Sequence, residues 1–210
     1  MNGPWPPAPW TLRGRALHTV QLVPVREVVA REVVPRTVKV VSVLPGFTAG
    51  GVYVARYGPG STLEYSELIA VAALVRRSGR VGIWISDIFV DSDASIAGGR
   101  AIWALDKQRA EFEWSDDGVT VRCGGKFLCS VTAPRAISCV PIAATVPAFG
   151  MTDAPPHFRA LVRTRMSLCR ADWEIPAESP FALLGSGGRR TTVLHYHLDA
   201  RILPPCIVNP

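Results

Sequence analysis

Lys107 is the residue of this chain whose type and position best suit nucleophilic chemistry. The sequence contains 23 basic residues, of which three are lysine and the other twenty are arginine. Arginine stays protonated and cannot act as an amine nucleophile, whereas a desolvated lysine can lose its proton near neutral pH. The segment before Lys107 supplies Ile102, Trp103 and Leu105. The local sequence therefore favours a dry pocket around this amine.

The other candidate groups carry weaker signals. His195 and His197 have the spacing that puts two imidazoles on one face of a strand, a geometry that can bind a metal. Asp199 is the single carboxylate or thiol at ligand spacing, so ordinary histidines of the sheet surface or core are favoured. We predict no metal and no cofactor. Lys39 and Lys126 have no supporting context and are expected at the surface.

Short β-branched runs separated by glycine and proline predict a chain built mainly of strands. The predicted strands are 16–23, 38–43, 51–57, 63–75, 81–90, 108–114, 118–123, 126–132, 158–170, 179–184 and 191–202. Valines at helical spacing predict a helix that starts at Pro24 and stops at Pro35. A second short helix can be capped by Asp91 or Ser92 and ended by the glycine pair at 98–99. The predicted fold class is predominantly β (α+β), a predominantly antiparallel sandwich or barrel with a few short helices.

Length and charge narrow the function classes. The 210 residues predict a single domain, with residues 1–10 as an extended N-terminal arm. The net charge is +6, but the arginines are scattered, without the basic stripe or motif of a nucleic-acid binder. An anionic small substrate drawn into a basic cavity is compatible with this charge.

Cysteine usage and the N-terminus indicate a cytoplasmic protein. The five cysteines are an odd number and include no C-x-x-C pair, which is typical of reduced intracellular proteins. The N-terminus lacks the layout of a secretory signal, and no uncharged apolar run reaches the length of a membrane span. We therefore predict neither a nucleic-acid nor a membrane partner.

Two motifs together resemble the signature of the acetoacetate decarboxylase family. The first is an ungapped pattern of an acid, four residues, Ile-Ala, one residue, Gly-Arg, an aromatic-containing stretch and a lysine. Its members are Asp91, Ile96, Ala97, Gly99, Arg100 and Lys107. The second is the tripeptide Tyr-Ser-Glu at 65–67, similar to the family's Tyr-x-Glu strand. The resemblance covers roughly residues 10–115 and extends to the remainder by architecture, which implies an acetoacetate decarboxylase-like β barrel.

The resemblance implies Schiff-base chemistry on a small β-keto or α-keto acid. Lys107 matches the family's nucleophile, whose iminium accepts the electrons released as CO2 departs. Glu67 matches an acid–base partner, and Glu64 would lie on the opposite strand face. Arg15 is the best match to an arginine that binds the substrate carboxylate. Arg13 lies on the same face, so it stays an alternative.

Three departures from the family pattern leave the reaction open. Gln108 stands where the decarboxylases have a second lysine, and Asp106 stands where they have proline. The position of the family's second active-site glutamate falls near Ala55 or Arg56, so this glutamate is missing here. Contact with Asp106 would favour the charged amine, although strand neighbours point to opposite faces. We predict decarboxylation as the reaction. The alternatives are the chemistry of an aldolase-dehydratase of the same superfamily, or a binding barrel without catalysis. The family also implies a homo-oligomer.

Overall fold

The computed structural model describes residues 5–133, 140–185 and 188–206, and these residues form a predominantly β fold. They include the helices α1 (Val25–Ala30) and α2 (Asp93–Trp103) and a 3-10 helix (Pro180–Leu184). The strands of the described chain are, in order, β1 (Trp10–Thr19), β2 (Gln21–Pro24), β3 (Lys39–Val40), β4 (Phe47–Tyr57), β5 (Tyr65–Arg77), β6 (Arg80–Val90), β7 (Gln108–Arg109), β8 (Glu111–Trp114), β9 (Gly118–Cys123), β10 (Lys126–Thr132), β11 (Val140–Phe149), β12 (His157–Glu174) and β13 (Gly188–Ile202).

Seven of these strands form a closed ring. Their order is β11, β6, β5, β4, β1, β13 and β12, and β11 pairs with β12 to complete the circuit. The pairings are antiparallel except between β11 and β6, where Ala148 pairs with Ile83 in parallel. The structure confirms the predicted predominantly β architecture and adds one parallel pair at the closure.

Both faces of β4 and β5 are largely buried because a second layer covers part of the outside of the ring. Strand β12 continues beyond the ring and pairs with β10, which leads to β9 and β8. Side chains of this layer, including Val121 and Trp173, pack with Val54 and Leu68 of β4 and β5 in one hydrophobic core. Alternate residues of β4 and β5 point the other way, into the ring. The candidate chemistry lies on that inner face.

Local sequence signals misled the prediction at three elements. Strand β11 was not predicted, because Pro141 and Pro147 are unusual within a strand. Segment 179–184 was predicted as a strand but forms the 3-10 helix, with Ser179 Oγ accepting from the backbone N–H of Phe181 at 3.2 Å. Helix α1 ends at Ala30, five residues before the predicted stop at Pro35.

Helix α2 contains the glycine pair that was predicted to end it. Ser92 caps the helix, and its Oγ accepts from the backbone N–H of Ser95 at 3.3 Å. A Cβ at Gly98 would lie 2.5 Å from the ring of Trp10, and one at Gly99 would lie 2.5 Å from Cε of Lys107. The glycines therefore serve close packing within the helix rather than its termination. No helix of the described residues is long and apolar enough to cross a membrane.

Candidate active site

The loop after α2 carries Lys107 into the ring. Ala104 has a left-handed φ of 54°, which turns the chain so that the backbone N–H of Leu105 donates to the carbonyl of Gly99 at 3.1 Å. Strand β7 then follows Lys107 and pairs with the end of β6. Lys107 is only 4% exposed. The turn at Ala104 and strand β7 thus flank Lys107 and hold its side chain inside the ring.

Lys107 forms a buried ion pair with Glu67 of β5. Its Nζ donates to Glu67 Oε1 at 2.7 Å, and the two side chains are 4% and 6% exposed. The same Nζ lies 3.0 Å from Oγ of Ser95 and 3.5 Å from the hydroxyl of Tyr65. An ammonium has three N–H donors, so these three acceptors match it fully. The aromatic faces of Tyr65 and Trp10 lie 5.1 Å and 6.0 Å from Nζ.

Three tyrosines surround the carboxylate of Glu67. The hydroxyls of Tyr57 and Tyr65 donate to its two oxygens at 3.1 Å and 3.3 Å, and the hydroxyl of Tyr53 lies 3.1 Å from that of Tyr57. Burial is the largest cause that raises the pKa of each tyrosine above its ordinary value, and the Glu67 charge adds to it. The tyrosines therefore stay protonated and can donate hydrogen bonds at neutral pH.

Of the three residues predicted from the sequence, the structure brings Lys107 and Glu67 together. Glu64 is exposed while Glu67 is buried, as the alternation of a strand requires. Of the two glutamates, Glu67 is therefore the one that lies inside the ring and can contact Lys107.

Arg15 does not join them. Leu12 and Ala16 are buried on the inner face of β1, so the regular alternation of this strand leaves Arg15 exposed on the outer face. The guanidinium of Arg15 lies 5.2 Å from the ring centre of Trp114. The alternative, Arg13, is also exposed, and its Nε donates to Asp199 at 3.1 Å. Neither arginine lines the ring interior.

Three residues depart from the pattern of the acetoacetate decarboxylase family. Two of them, Asp106 and Gln108, lie away from the Lys107 amine, and the third, Ala55, lies opposite Glu67. Asp106 is exposed and accepts from Arg100 at 2.6 Å, so it does not meet Lys107. Gln108 is also exposed. Ala55 is fully buried and pairs with Glu67 across the β4–β5 ladder. Glu67 therefore has no second carboxylate opposite it on β4.

The interior of the ring is a cavity of about 450 Å³ with mostly apolar walls. Its aliphatic lining residues include Leu12, Val52, Ile69, Val71, Leu74, Ile83, Ile85, Ile88, Leu105, Val146, Val162, Leu198 and Ile202. Trp10, Trp103 and Phe158 close the region nearest Lys107, and Lys107 and Glu67 are its charged lining residues. No arginine of the described residues lines this cavity. A low-dielectric wall of this kind strengthens the electrostatic effects of the few polar groups within it.

A pair of histidines also lines the cavity. Nδ1 of His18 lies 2.7 Å from Nε2 of His195, and the two rings stack with centres 4.8 Å apart. His197 was predicted to share a face with His195, but it is exposed, because its φ of 50° and a register shift in β13 break the alternation. No cluster of three or more His, Cys, Asp or Glu able to hold a metal occurs in the described part of the chain.

Sequence reasoning missed Tyr53, Tyr57, Ser95 and His18. Tyr53 and Tyr57 lie four residues apart, a spacing that puts them on one face of β4, and this signal could have been read from the predicted strand 51–57. The contact of Tyr57 with Glu67 depends on the register of β4 with β5, in which Tyr57 pairs with Tyr65. Local sequence does not encode that register.

The chain matches the family model described as "Acetoacetate decarboxylase (ADC)" over residues 4–167. Among solved structures it is similar to acetoacetate decarboxylase from Legionella pneumophila, with a TM-score of 0.69 and 18% identity, covering 99% of this chain and 90% of that one. It is also similar to the enduracididine biosynthesis enzyme MppR complexed with pyruvate, with a TM-score of 0.66 and 14% identity, covering 98% and 92%. At these identities the structural likeness concerns the fold.

Two curated plant proteins match part of the chain. Protein NEOXANTHIN-DEFICIENT 1 of Oryza sativa subsp. japonica is 32% identical over 108 residues, which are 51% of this chain and 35% of the relative. The protein of the same name from Solanum lycopersicum is 32% identical over 104 residues, which are 50% of this chain and 34% of the relative. The matched segment thus spans about a third of the length of these relatives.

Proposed function

Because the chain belongs to the acetoacetate decarboxylase family, we propose that it is a Schiff-base-forming lyase that decarboxylates a β-keto acid, with Lys107 as the nucleophile. The observation that carries this proposal is the Lys107–Glu67 contact of 2.7 Å between two side chains that are almost fully buried in an apolar cavity. A lysine amine inside such a cavity beside a single carboxylate that can take its proton is the arrangement that amine catalysis needs.

The first step is transfer of one ammonium proton from Lys107 to Glu67. Both charged groups have lost most of their hydration, so the neutral amine and carboxylic acid form a state that costs less desolvation than the ion pair. The hydroxyls of Tyr57 and Tyr65 stabilise the carboxylate and leave an acceptor on Glu67 for the proton. A substrate that fills the cavity displaces water and moves this balance toward the free amine.

The free amine then adds to the ketone carbon of the substrate. Loss of water, with Glu67 as proton donor, gives an iminium joined to Lys107. The bond between the α-carbon and the carboxylate breaks, CO2 leaves, and its bonding electron pair enters the iminium to form an enamine. Glu67, which has taken up a new proton from water, delivers it to the α-carbon and restores the iminium, and hydrolysis then releases the ketone and the amine. Tyr65 and Ser95, both in hydrogen-bond range of Nζ, orient the nitrogen during these steps.

The apolar cavity walls favour decarboxylation among the reactions open to an iminium. The substrate carboxylate loses hydration there, and no arginine of the described lining residues compensates its charge. The departing CO2 is neutral, so the negative charge of the carboxylate is dispersed in the transition state. Since the apolar walls do not stabilise that charge in the bound substrate, its dispersal lowers the barrier to decarboxylation. An aldolase-dehydratase would form the same iminium, but its substrate would keep its carboxylate in this apolar environment.

A second candidate function is a binding barrel without chemistry. The specific observation in its favour is that all three ammonium hydrogens of Lys107 have acceptors in the resting structure, which stabilises the charged form. In such a protein Lys107 and Glu67 would act as a fixed ion pair that a ligand contacts but does not break.

Trapping with borohydride separates the two candidates. The protein is incubated with acetoacetate, reduced, and its intact mass measured, with Lys107→Met and Lys126→Met as test and control variants. We expect an isopropyl adduct in the wild type and in Lys126→Met, because CO2 has left before reduction, and none in Lys107→Met. Circular dichroism verifies that each variant is folded. An adduct that retains the carboxylate would exclude decarboxylation, and an adduct that persists in folded Lys107→Met would exclude the nucleophile.

A further inference from the structure

The cavity extends well beyond the groups that the proposed chemistry uses. Trp10, which lies 6.0 Å from Lys107 Nζ, is at the start of β1, and His18 lies eight residues further along the same strand. Both residues line the cavity. Eight strand residues span at most about 27 Å. The cavity therefore has lining residues at both ends of β1. A volume of about 450 Å³ lies in the range of sites for drug-sized ligands and exceeds the needs of a four-carbon keto acid.

Most of the cavity wall beyond Lys107 and the histidine pair is apolar. The lining residues of β5 and β6 include Ile69, Val71, Leu74 and Ile83. The polar groups of this region thus concentrate near the lysine and near the two histidines. A ligand that fills the cavity has a polar head, an apolar body and a second polar group.

A hydrogen-bond chain fixes which nitrogen of each histidine carries the proton. The hydroxyl of Thr164 donates to a backbone carbonyl, either Tyr196 at 3.2 Å or Arg165 at 3.3 Å, and its single proton is thereby used. With the Thr164 proton assigned to a carbonyl, we assign Nδ1 of His195, 3.3 Å from the Thr164 oxygen, as the donor of that contact. In a neutral ring this makes Nε2 of His195 the acceptor.

The same chain fixes His18. Because Nε2 of His195 accepts, Nδ1 of His18 at 2.7 Å is the donor, and Nε2 of His18 carries a lone pair. Nε2 has no hydrogen-bond partner among the described residues. Burial is the main cause that lowers the pKa of each histidine to about 4, and for His18 the charge of His195 adds to it, so both rings are neutral at physiological pH. The histidine end of the cavity presents an acceptor, which suits a hydroxyl donor and repels a carboxylate.

We propose that the ligand of this cavity is an elongated, largely apolar carbonyl compound whose far end bears a hydroxyl group that donates to Nε2 of His18. The identity of the carbonyl head rests on the proposed Schiff-base chemistry of Lys107. The apolar body and the terminal hydroxyl rest on the cavity and the histidine chain alone, so they can be tested without any carbonyl.

Alcohols and matched ethers provide that test. Binding of butanol, octanol, dodecanol and methyl undecyl ether is measured through the fluorescence of Trp10 and Trp103, which line the cavity. We expect affinity to rise by about threefold per methylene, up to the length that fills the cavity. Dodecanol is expected to bind about tenfold more tightly than the ether, which has the same length but no donor.

Two variants locate the recognised hydroxyl. Thr164→Val conserves shape but removes the group that fixes the tautomers, and His18→Phe removes the acceptor; each is expected to abolish the preference for dodecanol over the ether. Ile69→Val, the matched control, is expected to weaken both ligands alike. Equal binding of alcohol and ether by the wild type, or affinity that does not rise with chain length, would overturn the inference. Lys107→Met is expected to keep the preference, so failure of the Schiff-base proposal would leave this result intact.

Discussion

Replacing either member of the buried ion pair is expected to destabilise the protein. Lys107→Met leaves the carboxylate of Glu67 buried without a cation, and Glu67→Gln leaves the ammonium without an anion. At a separation of 2.7 Å the attraction is about 6 kcal/mol for an effective dielectric constant of about 20. Relaxation and the tyrosine hydrogen bonds reduce the net effect, so we expect each variant to lose about 3–5 kcal/mol at neutral pH.

The double variant has no isolated charge and is expected to be more stable than the sum of the single losses implies.

Urea unfolding followed by circular dichroism at neutral pH measures these differences. Asp106→Asn is the matched control, because it breaks an ion pair of 2.6 Å in the same loop whose side chains are 63% and 67% exposed. We expect that variant to lose less than about 1 kcal/mol. Losses below about 1 kcal/mol in both Lys107→Met and Glu67→Gln would refute the buried ion pair.

Three further predictions follow from single features. Gly99→Ala is expected to keep or slightly raise helix stability but slow adduct formation by at least about tenfold, because its Cβ would displace Lys107 Cε; an unchanged trapping rate contradicts this close packing. Arg15→Ala is expected to trap acetoacetate within about twofold of wild type, and a large loss would restore its role in binding the carboxylate. In the unfolded chain His18 and His195 take up protons below about pH 6.5, whereas in the folded protein their pKa is about 4. The free energy of unfolding therefore decreases as the pH is lowered from about 6.5 to about 4. His18→Gln is expected to reduce that fall by up to about 3 kcal/mol in urea unfolding, and an identical fall would contradict the burial of the pair.

The central pair of the site could be predicted from the sequence because its signals are local. Lys107 lies in an ungapped motif whose glycine makes room for its side chain, and the alternation of β5 separates Glu67 from Glu64. The strands with clear β-branched runs and turn residues were likewise predicted. Such features depend on neighbours within a few residues of each other.

The features that escaped prediction depend on long-range register or on irregular backbone. Alternation groups Arg15 with Arg13, but which face of β1 is the inner one depends on how the ring closes. The positive φ of His197, which turns it away from His195, has no sequence signature that alternation can reveal. The contact of Tyr57 with Glu67 and the closure of the ring by β11 require strands that are distant in sequence to pair.

Mapping the site of the trapped adduct tests the central claim most directly. The chain has three lysines, and Lys39 and Lys126 are exposed while Lys107 is buried, so proteolysis after borohydride reduction assigns the modified amine without ambiguity. With acetoacetate as substrate, the proposed function predicts an isopropyl group on Lys107 at a rate far above that of either exposed lysine. Modification confined to Lys39 and Lys126, with Lys107 unmodified in the folded protein, would contradict it.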